Sequence, residues 1–282
     1  MLNAIASRGN PAFIAWKKLA QSGRERKKRQ QALLEGAHLV ESWHTAHGMP
    51  ACLIASEKGR QRTEVAGWLA AGERHGARCV VLSDALFVEL SDTETPGGLM
   101  AVVNLPPAPE APVTNIDTLL LDGVQDPGNL GSLLRTAAAA GFSQALLSAD
   151  CASPFSPKTL RAGQGAQFQL RLHEAADLAA FLSAFEGISF AATLRDAESI
   201  YAVDLRQVPA AWVFGAEGAG VRPLALAAAR QRVCIPMPGA QSVESLNVGH
   251  AAAICLFETL RVRGQELEDS NCVPASVRIP LV

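Results

Sequence analysis

Aromatic residues and paired cysteines are scarce in this chain of 282 residues. Phe, Trp and Tyr make up 5% of it, so the aromatic platforms on which some RNA-binding modules stack bases are not indicated. None of the six cysteines forms a C-x-x-C pair, and no histidine spacing accompanies them. This pattern disfavours a zinc site and a disulfide framework, and reduced thiols in a cytosolic protein are the favoured interpretation.

Long apolar runs are also missing, and no secretory leader is expected. No run reaches the length of about 18 apolar residues that a spanning helix needs, and the N-terminus lacks a basic start followed by an apolar core. The hydrophobic fraction of 49% is ordinary for a globular chain and excludes wholesale disorder. We therefore predict a cytoplasmic protein with no membrane partner.

The formal net charge is only −2, which by itself argues against a nucleic-acid partner. The charge is unevenly distributed, because residues 1–105 carry 13 Lys and Arg against 10 Asp and Glu, whereas the remainder carries 12 against 17. The most basic stretch contains Arg24, Arg26, Lys27, Lys28 and Arg29. A solvated helix face and a phosphate-contacting arm both fit this stretch, and its charge alone leaves the two open.

A proline-rich segment divides the chain. Residues 104–116 contain four prolines and almost no apolar periodicity, so they are predicted to be an extended, semi-rigid linker. The predicted organisation is an N-terminal domain over 1–103, the linker over 104–116, a C-terminal domain over 117–264 and a tail over 265–282.

Helical and strand patterns alternate on both sides of the linker, which predicts an α/β fold. Strands are predicted at 51–56, 78–83, 98–103, 118–122, 144–148, 168–172, 188–193, 211–215 and 232–236. Helices are predicted at 32–47, 63–71, 84–90 (capped by Asp84), 130–140, 157–164, 175–185, 221–230 and 245–262. Continuous apolar strands such as 119–121 indicate a parallel sheet covered on both faces, and such sheets bind ligands at the carboxyl ends of their strands.

The first candidate loop follows the strand that ends at Asp122 and runs through a Pro/Gly turn into a helix. Asn129 is predicted to cap that helix, and Arg135 lies less than two turns further on. An anion site at a helix N-terminus with an arginine clamp has this pattern. An ordinary capped helix with a surface arginine has it too, and this loop alone does not separate them.

The second candidate loop follows another apolar strand, and in it Gly215, Gly218 and Gly220 surround Glu217. Glycines allow a ligand to approach the backbone, although a structural turn also explains them. Their spacing is G-x-x-G-x-G rather than the dinucleotide fingerprint G-x-G-x-x-G. A nicotinamide-dependent oxidoreductase is therefore disfavoured.

The third candidate loop, 235–250, is a Pro/Gly turn followed by Glu-Ser-Leu-Asn at the start of an Ala-rich helix. Ser242 with Glu244, or Ser245 alone, is predicted to cap that helix. Asn247 needs a partner, because amides are poor residues inside a helix unless they are paired. His250 is interpreted as a packing residue, and no Ser-His-Asp arrangement can be argued from the spacing.

Together the three loops resemble the motifs of the SpoU (TrmH) family of RNA ribose 2′-O-methyltransferases, in the SPOUT superfamily. The matching segments are DPGNLGSLLRTAAAAGF (126–142), FGAEGAG (214–220) and IPMPGAQSVESLNVGHAAA (235–253). Residues 156–166 are similar to the family's Arg-Ala-Ser-x-Gly-Ala segment, with Gly163 where the family usually has Ser. ALLEGAHLVE (32–41) and GGLMAVV (97–103) resemble its substrate-binding domain.

This resemblance implies a fold and a chemistry that periodicity does not reveal. It implies a parallel-sheet SPOUT domain with a trefoil knot, although chains rarely thread their own loops, and a small L30e-like α/β substrate-binding domain. It also implies S-adenosylmethionine as cofactor, RNA as substrate, a homodimer and no metal. Ribosomal RNA is favoured over tRNA, because stand-alone tRNA members often lack the N-terminal domain. A catalytically silent RNA-binding relative is a further alternative, disfavoured by the intact motif residues.

The resemblance assigns roles to individual residues. The predicted catalytic residues are Arg135, Asn129, Glu217, Ser245 and Asn247. The predicted cofactor-binding residues are Gly215, Glu217, Gly218, Ile235, Met237, Leu246 and Asn247. Independently of the resemblance, the charge of the basic stretch makes Arg24, Arg26, Lys27, Lys28 and Arg29 the predicted RNA-binding residues, together with Arg161. The family gives Arg135 the activation of the 2′-hydroxyl, and since a guanidinium is effectively always protonated, we interpret it as orienting the ribose and a phosphate and leave the deprotonation open.

Overall fold

The computed structural model describes residues 3–206, 209–239 and 244–264, and its N-terminal part is a five-stranded sheet with helices. Its strands are β1 (Asn3–Ile5), β2 (Gln31–Glu35), β3 (Cys52–Ser56), β4 (Arg78–Leu82) and β5 (Leu99–Asn104). Its helices are α1 (Pro11–Gln21), α2 (Gly23–Arg29), α3 (Ala37–His47), α4 (Thr63–Arg74) and α5 (Asp84–Leu90). The spatial strand order is β1-β4-β3-β5-β2, with β5 antiparallel to both of its neighbours.

The C-terminal part contains a seven-stranded sheet in which every pair is parallel. Its strands are β6 (Thr118–Asp122), β7 (Gln144–Leu147), β8 (Arg171–His173), β9 (Ile188–Ala192), β10 (Glu198–Ser199), β11 (Ala210–Gly215) and β12 (Gln231–Cys234). Its helices are α6 (Pro127–Ala139), α7 (Pro157–Gly163), α8 (Leu178–Ala184), α9 (Pro223–Ala228) and α10 (Val248–Val262). The order β10-β12-β9-β11-β6-β7-β8 confirms the predicted parallel α/β architecture.

The centre of this sheet is buried on both faces, as the continuous apolar strands predict. Every residue of β6 and β11 is buried. Trp212 of β11 stacks on Phe190 of β9 with ring centroids 4.7 Å apart, and its indole nitrogen donates to Thr259 Oγ1 of α10 at 3.1 Å. A buried indole that is both packed and hydrogen-bonded fixes α10 on the sheet, and α10 begins with a residue of the third candidate loop.

The predicted helix over 32–47 was wrong in its first turn. Residues 31–35 form β2 and pair with β5, and only residues from Ala37 onward are helical. Leu34 packs into one apolar cluster and Leu33 into another, because successive strand residues face opposite sides of the sheet. With both faces covered, the strand has no polar alternation, and its apolar run mimics a helix face.

Other differences concern the ends of elements. Ser83 occupies the cap position of α5, while the predicted cap, Asp84, is the first helical residue and accepts from Lys58 N at 3.0 Å. The strand predicted over 168–172 starts later than expected, because a 3-10 turn, Ala166–Phe168, precedes β8. The basic stretch forms the short helix α2.

The two parts pack against each other through α7 and the turn after it. Leu160 and Phe168 join the apolar cluster of α3, where Trp43 and Phe168 meet edge to face at a centroid distance of 5.1 Å. Arg161 forms an ion pair with Asp92 at 3.0 Å. Between β5 and β6 there is neither a helix nor a strand in the described chain. Among the residues placed in the structure, no helix is long and apolar enough to cross a membrane.

Candidate active site

The three candidate loops meet at the carboxyl edge of the seven-stranded sheet. The first follows β6, the second follows β11 and the third follows β12. β6 and β11 are direct neighbours with Gly215 opposite Asp122, so their loops leave the sheet side by side. Parallel sheets place ligand sites at this edge, and the meeting of these loops is what the sequence predicts.

One predicted residue from each loop takes part in a triangle of side chains. Asn129 Nδ2 donates to Glu217 Oε1 at 2.7 Å, and Asn247 Nδ2 donates to the same oxygen at 2.9 Å. Asn247 Nδ2 also lies 3.0 Å from Asn129 Oδ1, which accepts from it. We call these residues the Asn-Glu-Asn triangle. Hydrogen bonds to a carboxylate are stronger than neutral ones, so the triangle fixes the three loops relative to one another.

The N-terminal caps of α6 and α10 leave the side-chain amide nitrogens of Asn129 and Asn247 free to reach Glu217. Asp126, not Asn129, caps α6, since its Oδ1 accepts from Asn129 N at 2.7 Å. The prediction of Asn129 as the cap was therefore wrong by three residues. Asn247 is the cap of α10 and accepts from Gly249 N at 2.9 Å, so the helix begins later than predicted and Ser245 does not cap it. Ser242 lies outside the described residues.

Arg135 and Ser245 stand apart from the triangle. Arg135 is exposed on α6, and its guanidinium forms no hydrogen bond or ion pair with any of the described residues. Ser245 is likewise exposed, without a hydrogen bond in the described part of the chain. His250 is exposed on α10 rather than packed as expected. An unpaired cation next to an ordered loop is available to an anionic ligand.

The predicted cofactor residues line the second and third loops. Gly215 is buried, Ile235 and Met237 are half-buried, and Leu246 is 37% exposed. Gly218 has a φ of +87°, and no atom of the described residues lies within 4 Å of a Cβ built there. The two loops therefore combine apolar side chains, exposed backbone and open space at Gly218, which suits a ligand with an apolar ring and polar edges.

A cluster of charged residues below the second loop was missed by sequence reasoning. Asp122, 1% exposed at the end of β6, forms an ion pair with Arg222, whose backbone N also donates to Asp122 Oδ2 at 2.7 Å. The hydrogen bond that its side chain donates to Asp122 raises the pKa of Arg222, and the hydrogen bond that the Ser148 hydroxyl donates lowers the pKa of Asp150. A carboxylate ending a buried strand is the only sequence feature that marks this cluster.

The predicted RNA-binding residues have different surroundings. Arg24 and Lys28 are exposed on α2, and Arg29 is also exposed but pairs with Glu25 at 3.2 Å. Lys27 pairs with Glu174 of the C-terminal part at 3.1 Å. Arg161 donates to the carbonyl of Asp92 at 3.2 Å besides forming its ion pair.

Arg26 does not match its predicted place in a phosphate-binding surface. It is 6% exposed, and its Nη1 donates to the carbonyl of Leu19 at 2.7 Å at the end of α1. Burial lowers its pKa, and the charge of Glu174 opposes that shift. Its role here is to close the end of α1, because long cationic side chains can satisfy the carbonyls that a helix leaves unpaired.

Gly163 departs from the family pattern for a steric reason. A Cβ at this position would lie 2.6 Å from both terminal atoms of the Gln167 amide. Gln167 is 3% exposed, and its Nε2 donates to the carbonyls of Thr159 at 2.9 Å and Pro154 at 3.2 Å. The glutamine amide thus fills the space beside α7 that a side chain at residue 163 would need.

We expect Gly163→Ser to lower the free energy of unfolding by about 1–3 kcal/mol, the usual cost of overpacking. Adding Gln167→Ala should recover part of this loss, because it vacates the same space. Thermal unfolding of both single variants and the double variant measures this coupling. Gly97→Ser is the matched control, since a Cβ at residue 97 has no atom of the placed residues within 4 Å. Additive effects of the two substitutions would contradict the steric account.

The thiols and acidic residues of the described chain form no metal-type cluster. No group of three or more His, Cys, Asp or Glu that could hold a metal ion occurs among the described residues. Cys52, Cys79, Cys151, Cys234 and Cys255 are free thiols. Burial raises the pKa of Cys52 to about 11 and that of Cys255 to about 12, so both are poor nucleophiles at neutral pH. Cys272 lies outside the described residues.

Two family models match this chain, one on each side of the proline-rich segment. Residues 118–257 match the SpoU rRNA Methylase family, and residues 10–101 match the MRM3-like substrate binding domain. The first range contains all of the residues of the Asn-Glu-Asn triangle. Both matches agree with the resemblance that the sequence motifs indicate.

Similar proteins extend over nearly the whole chain. The 23S rRNA (guanosine(2553)-2′-O)-methyltransferase RlmP of Bacillus subtilis is 33% identical, over 91% of this chain and 98% of its own length. An AdoMet-bound rRNA methyltransferase from Sinorhizobium meliloti has a TM-score of 0.78 at 26% identity, covering 92% of this chain and 98% of that one. A crystal structure of an RNA 2′-O ribose methyltransferase has the same TM-score at 29% identity, covering 92% and 99%.

Proposed function

Because the chain belongs to the SpoU rRNA methylase family, we propose that it transfers a methyl group from S-adenosylmethionine to a ribose 2′-hydroxyl of ribosomal RNA. The observation that carries this proposal is the Asn-Glu-Asn triangle, which ties the three family motifs together at the ligand-binding edge of the sheet. The triangle joins side chains far apart in the sequence, so it is a specific arrangement rather than a local turn.

The residues of the second and third loops fit S-adenosylmethionine. When bound, this cofactor supplies an electrophilic methyl group on a sulfonium. Leu246, Ile235 and Met237 offer apolar surface for an adenosine ring, and the open backbone at Gly218 offers polar groups for its edges. We propose that Gly215, Glu217 and Asn247 complete this binding surface.

Arg135 and the Asn-Glu-Asn triangle have different proposed tasks in positioning the RNA. An in-line methyl transfer needs a positioned oxygen, so the protein's main contribution is orientation. We propose that the unpaired guanidinium of Arg135 holds the ribose and its phosphate, while the triangle fixes the loops that define the approach of the 2′-hydroxyl. Ser245, exposed just before α10, is proposed to contact the same catalytic surface.

The larger assembly is also part of the proposal. We propose a homodimer, a trefoil knot in the C-terminal domain and action in the cytoplasm, all supported by the family resemblance. We propose that RNA binding belongs to the domain over 1–103 and catalysis to the domain over 117–264. The linker over 104–116 joins them, and a tail over 265–282 follows. The same chemistry on tRNA is the second candidate, favoured only by the shared motifs.

The direct test maps 2′-O-methyl groups on ribosomal RNA and tRNA from cells with and without this gene. We expect one ribosomal site to lose its methyl group, and no change in either RNA pool would contradict the proposed activity. Calorimetry with the purified protein separates cofactor classes, because S-adenosylmethionine should bind and NAD should not. Binding of NAD alone would favour the oxidoreductase alternative.

The exposed cations of α2 give a salt-dependent expectation. Replacing Arg24, Lys28 and Arg29 together by Gln should weaken binding of ribosomal RNA and reduce the slope of log K against log salt by about 2, since up to three phosphate contacts disappear. Affinity for S-adenosylmethionine should not change. Titrations at several salt concentrations measure the slope. Arg206→Gln, which removes an exposed cation paired with Asp204, is the control, and an equal effect there would contradict a specific role for α2.

A further inference from the structure

The loop that carries Glu217, residues 216–221, is anchored at both ends to one buried residue. Gly215, just before the loop, lies opposite Asp122 in the pairing of β11 with β6. Arg222, just after the loop, donates to the Asp122 carboxylate from its backbone N and from Nε, both at 2.7 Å, and forms an ion pair through Nη2. A short loop with both ends held at the same point has little freedom to move.

Contacts inside the loop restrict it further. Gly220 N donates to the carbonyl of Ala216 at 2.9 Å, which closes a tight turn. A Cβ on Gly215 would lie only 2.0 Å from the carbonyl carbon of Gly220, so the chain folds directly back over Gly215. The position of Glu217 at the tip therefore follows from where the two ends are held.

Arg222 also connects the loop to the residues that follow β7, the strand on the other side of β6. Its Nη1 lies 3.5 Å from Asp150 Oδ2, and Asp150 accepts from Ser148 Oγ at 2.6 Å. The same hydroxyl oxygen accepts from Gly123 N at 2.9 Å, at the start of the first candidate loop. A single network thus reaches from the start of the first loop to the end of the second.

We propose that Arg222 is a positioning residue for methyl transfer: held by Asp122, it sets the loop 216–221 so that Glu217 lies between Asn129 and Asn247. This inference rests on the proposed function. Arg222 touches none of the three residues of the triangle through a hydrogen bond, so it acts through the loop. Its planar fork suits a carboxylate in a way that a lysine does not.

The test measures kcat and KM for methylation of ribosomal RNA in a double-mutant cycle. Arg222→Met should lower kcat/KM about 10- to 100-fold, because the loop loses its side-chain anchor and the buried Asp122 carboxylate keeps only the backbone N of residue 222 as its partner in this pair. Arg222→Lys should recover part of the loss. In a Glu217→Gln background, Arg222→Met should lower kcat/KM by less than about threefold, since the residue through which it acts is already impaired. Arg206→Met is the control, because Arg206 is half of an exposed ion pair outside the three loops.

Four outcomes would overturn the inference. Unchanged kinetics in Arg222→Met would remove any positioning role, and equal losses with and without Glu217→Gln would show that Arg222 does not act through Glu217. If Arg222→Met does not fold, Asp122→Asn and Arg222→Lys replace it in the same cycle, and full activity in both would overturn the inference. A wild-type protein that methylates no RNA overturns the proposed function and this inference together, whereas an active wild type with unaffected variants overturns the inference alone.

Discussion

Replacing Arg135 by Ala should reduce methyl transfer to background while leaving the affinity for S-adenosylmethionine nearly unchanged. The guanidinium is exposed on α6 and has no partner among the described residues, so its removal disturbs no contact within them. Its proposed task is to hold the ribose and phosphate, and loss of such a contact acts on turnover. Turnover assays and calorimetry on the same preparation measure both quantities.

The controls for Arg135 separate charge from geometry. Arg135→Lys keeps the charge but not the planar fork and should also be severely impaired. Arg230→Ala removes another exposed arginine, located before β12 at the opposite edge of the sheet, and should leave turnover unchanged. Measurable activity in Arg135→Ala would contradict the assignment, and loss of cofactor binding would place Arg135 at the cofactor instead.

Replacing Glu217 by Gln should lower kcat/KM about 100-fold, the second-largest expected effect. Its Oε1 accepts from both Asn129 and Asn247, and hydrogen bonds to a charged group contribute roughly 1.5–3 kcal/mol each. Since about 1.4 kcal/mol corresponds to a factor of ten, loss of the charge at this oxygen is enough for the expected drop. Gln keeps the shape of the side chain, so the fold should be retained.

The matched control for Glu217 is Glu186→Gln. Glu186 also accepts a hydrogen bond at an exposed position, from Thr114 Oγ1 at 2.7 Å, but it precedes β9 and lies away from the three loops. The Glu186→Gln variant should keep full activity. Thermal unfolding of Glu217→Gln checks the fold, and an active Glu217→Gln protein would remove the triangle from the mechanism.

The sequence predicts the parallel sheet and its loops because their causes are local. The run Leu119–Leu121 is apolar without alternation, which indicates a strand covered on both faces, and polar Gly-rich segments after β6, β11 and β12 mark the ligand edge. The same reasoning fails at β2, whose apolar run equally suits a helix face.

The spacing of residues in the sequence could not predict which side chains meet at the site. Glu217 is 88 positions from Asn129, and Arg222 is 100 positions from Asp122, so no local rule relates these partners. Only the resemblance indicated that Asn129, Glu217 and Asn247 belong together, and it was silent on Asp122. The burial of Arg26 was equally hidden, because it depends on where α1 ends.

The packing of α7 makes the proline-rich segment a poor place to divide this protein. An apolar core that includes Leu39 and Trp43, which precede that segment in the sequence, is completed by Leu160 and Phe168, which follow it. A fragment that stops at residue 103 would expose that core surface to water and would favour association or aggregation. We therefore expect the N-terminal module to fold poorly without α7, and an exchange of this module between relatives to succeed better when the matching α7 travels with it.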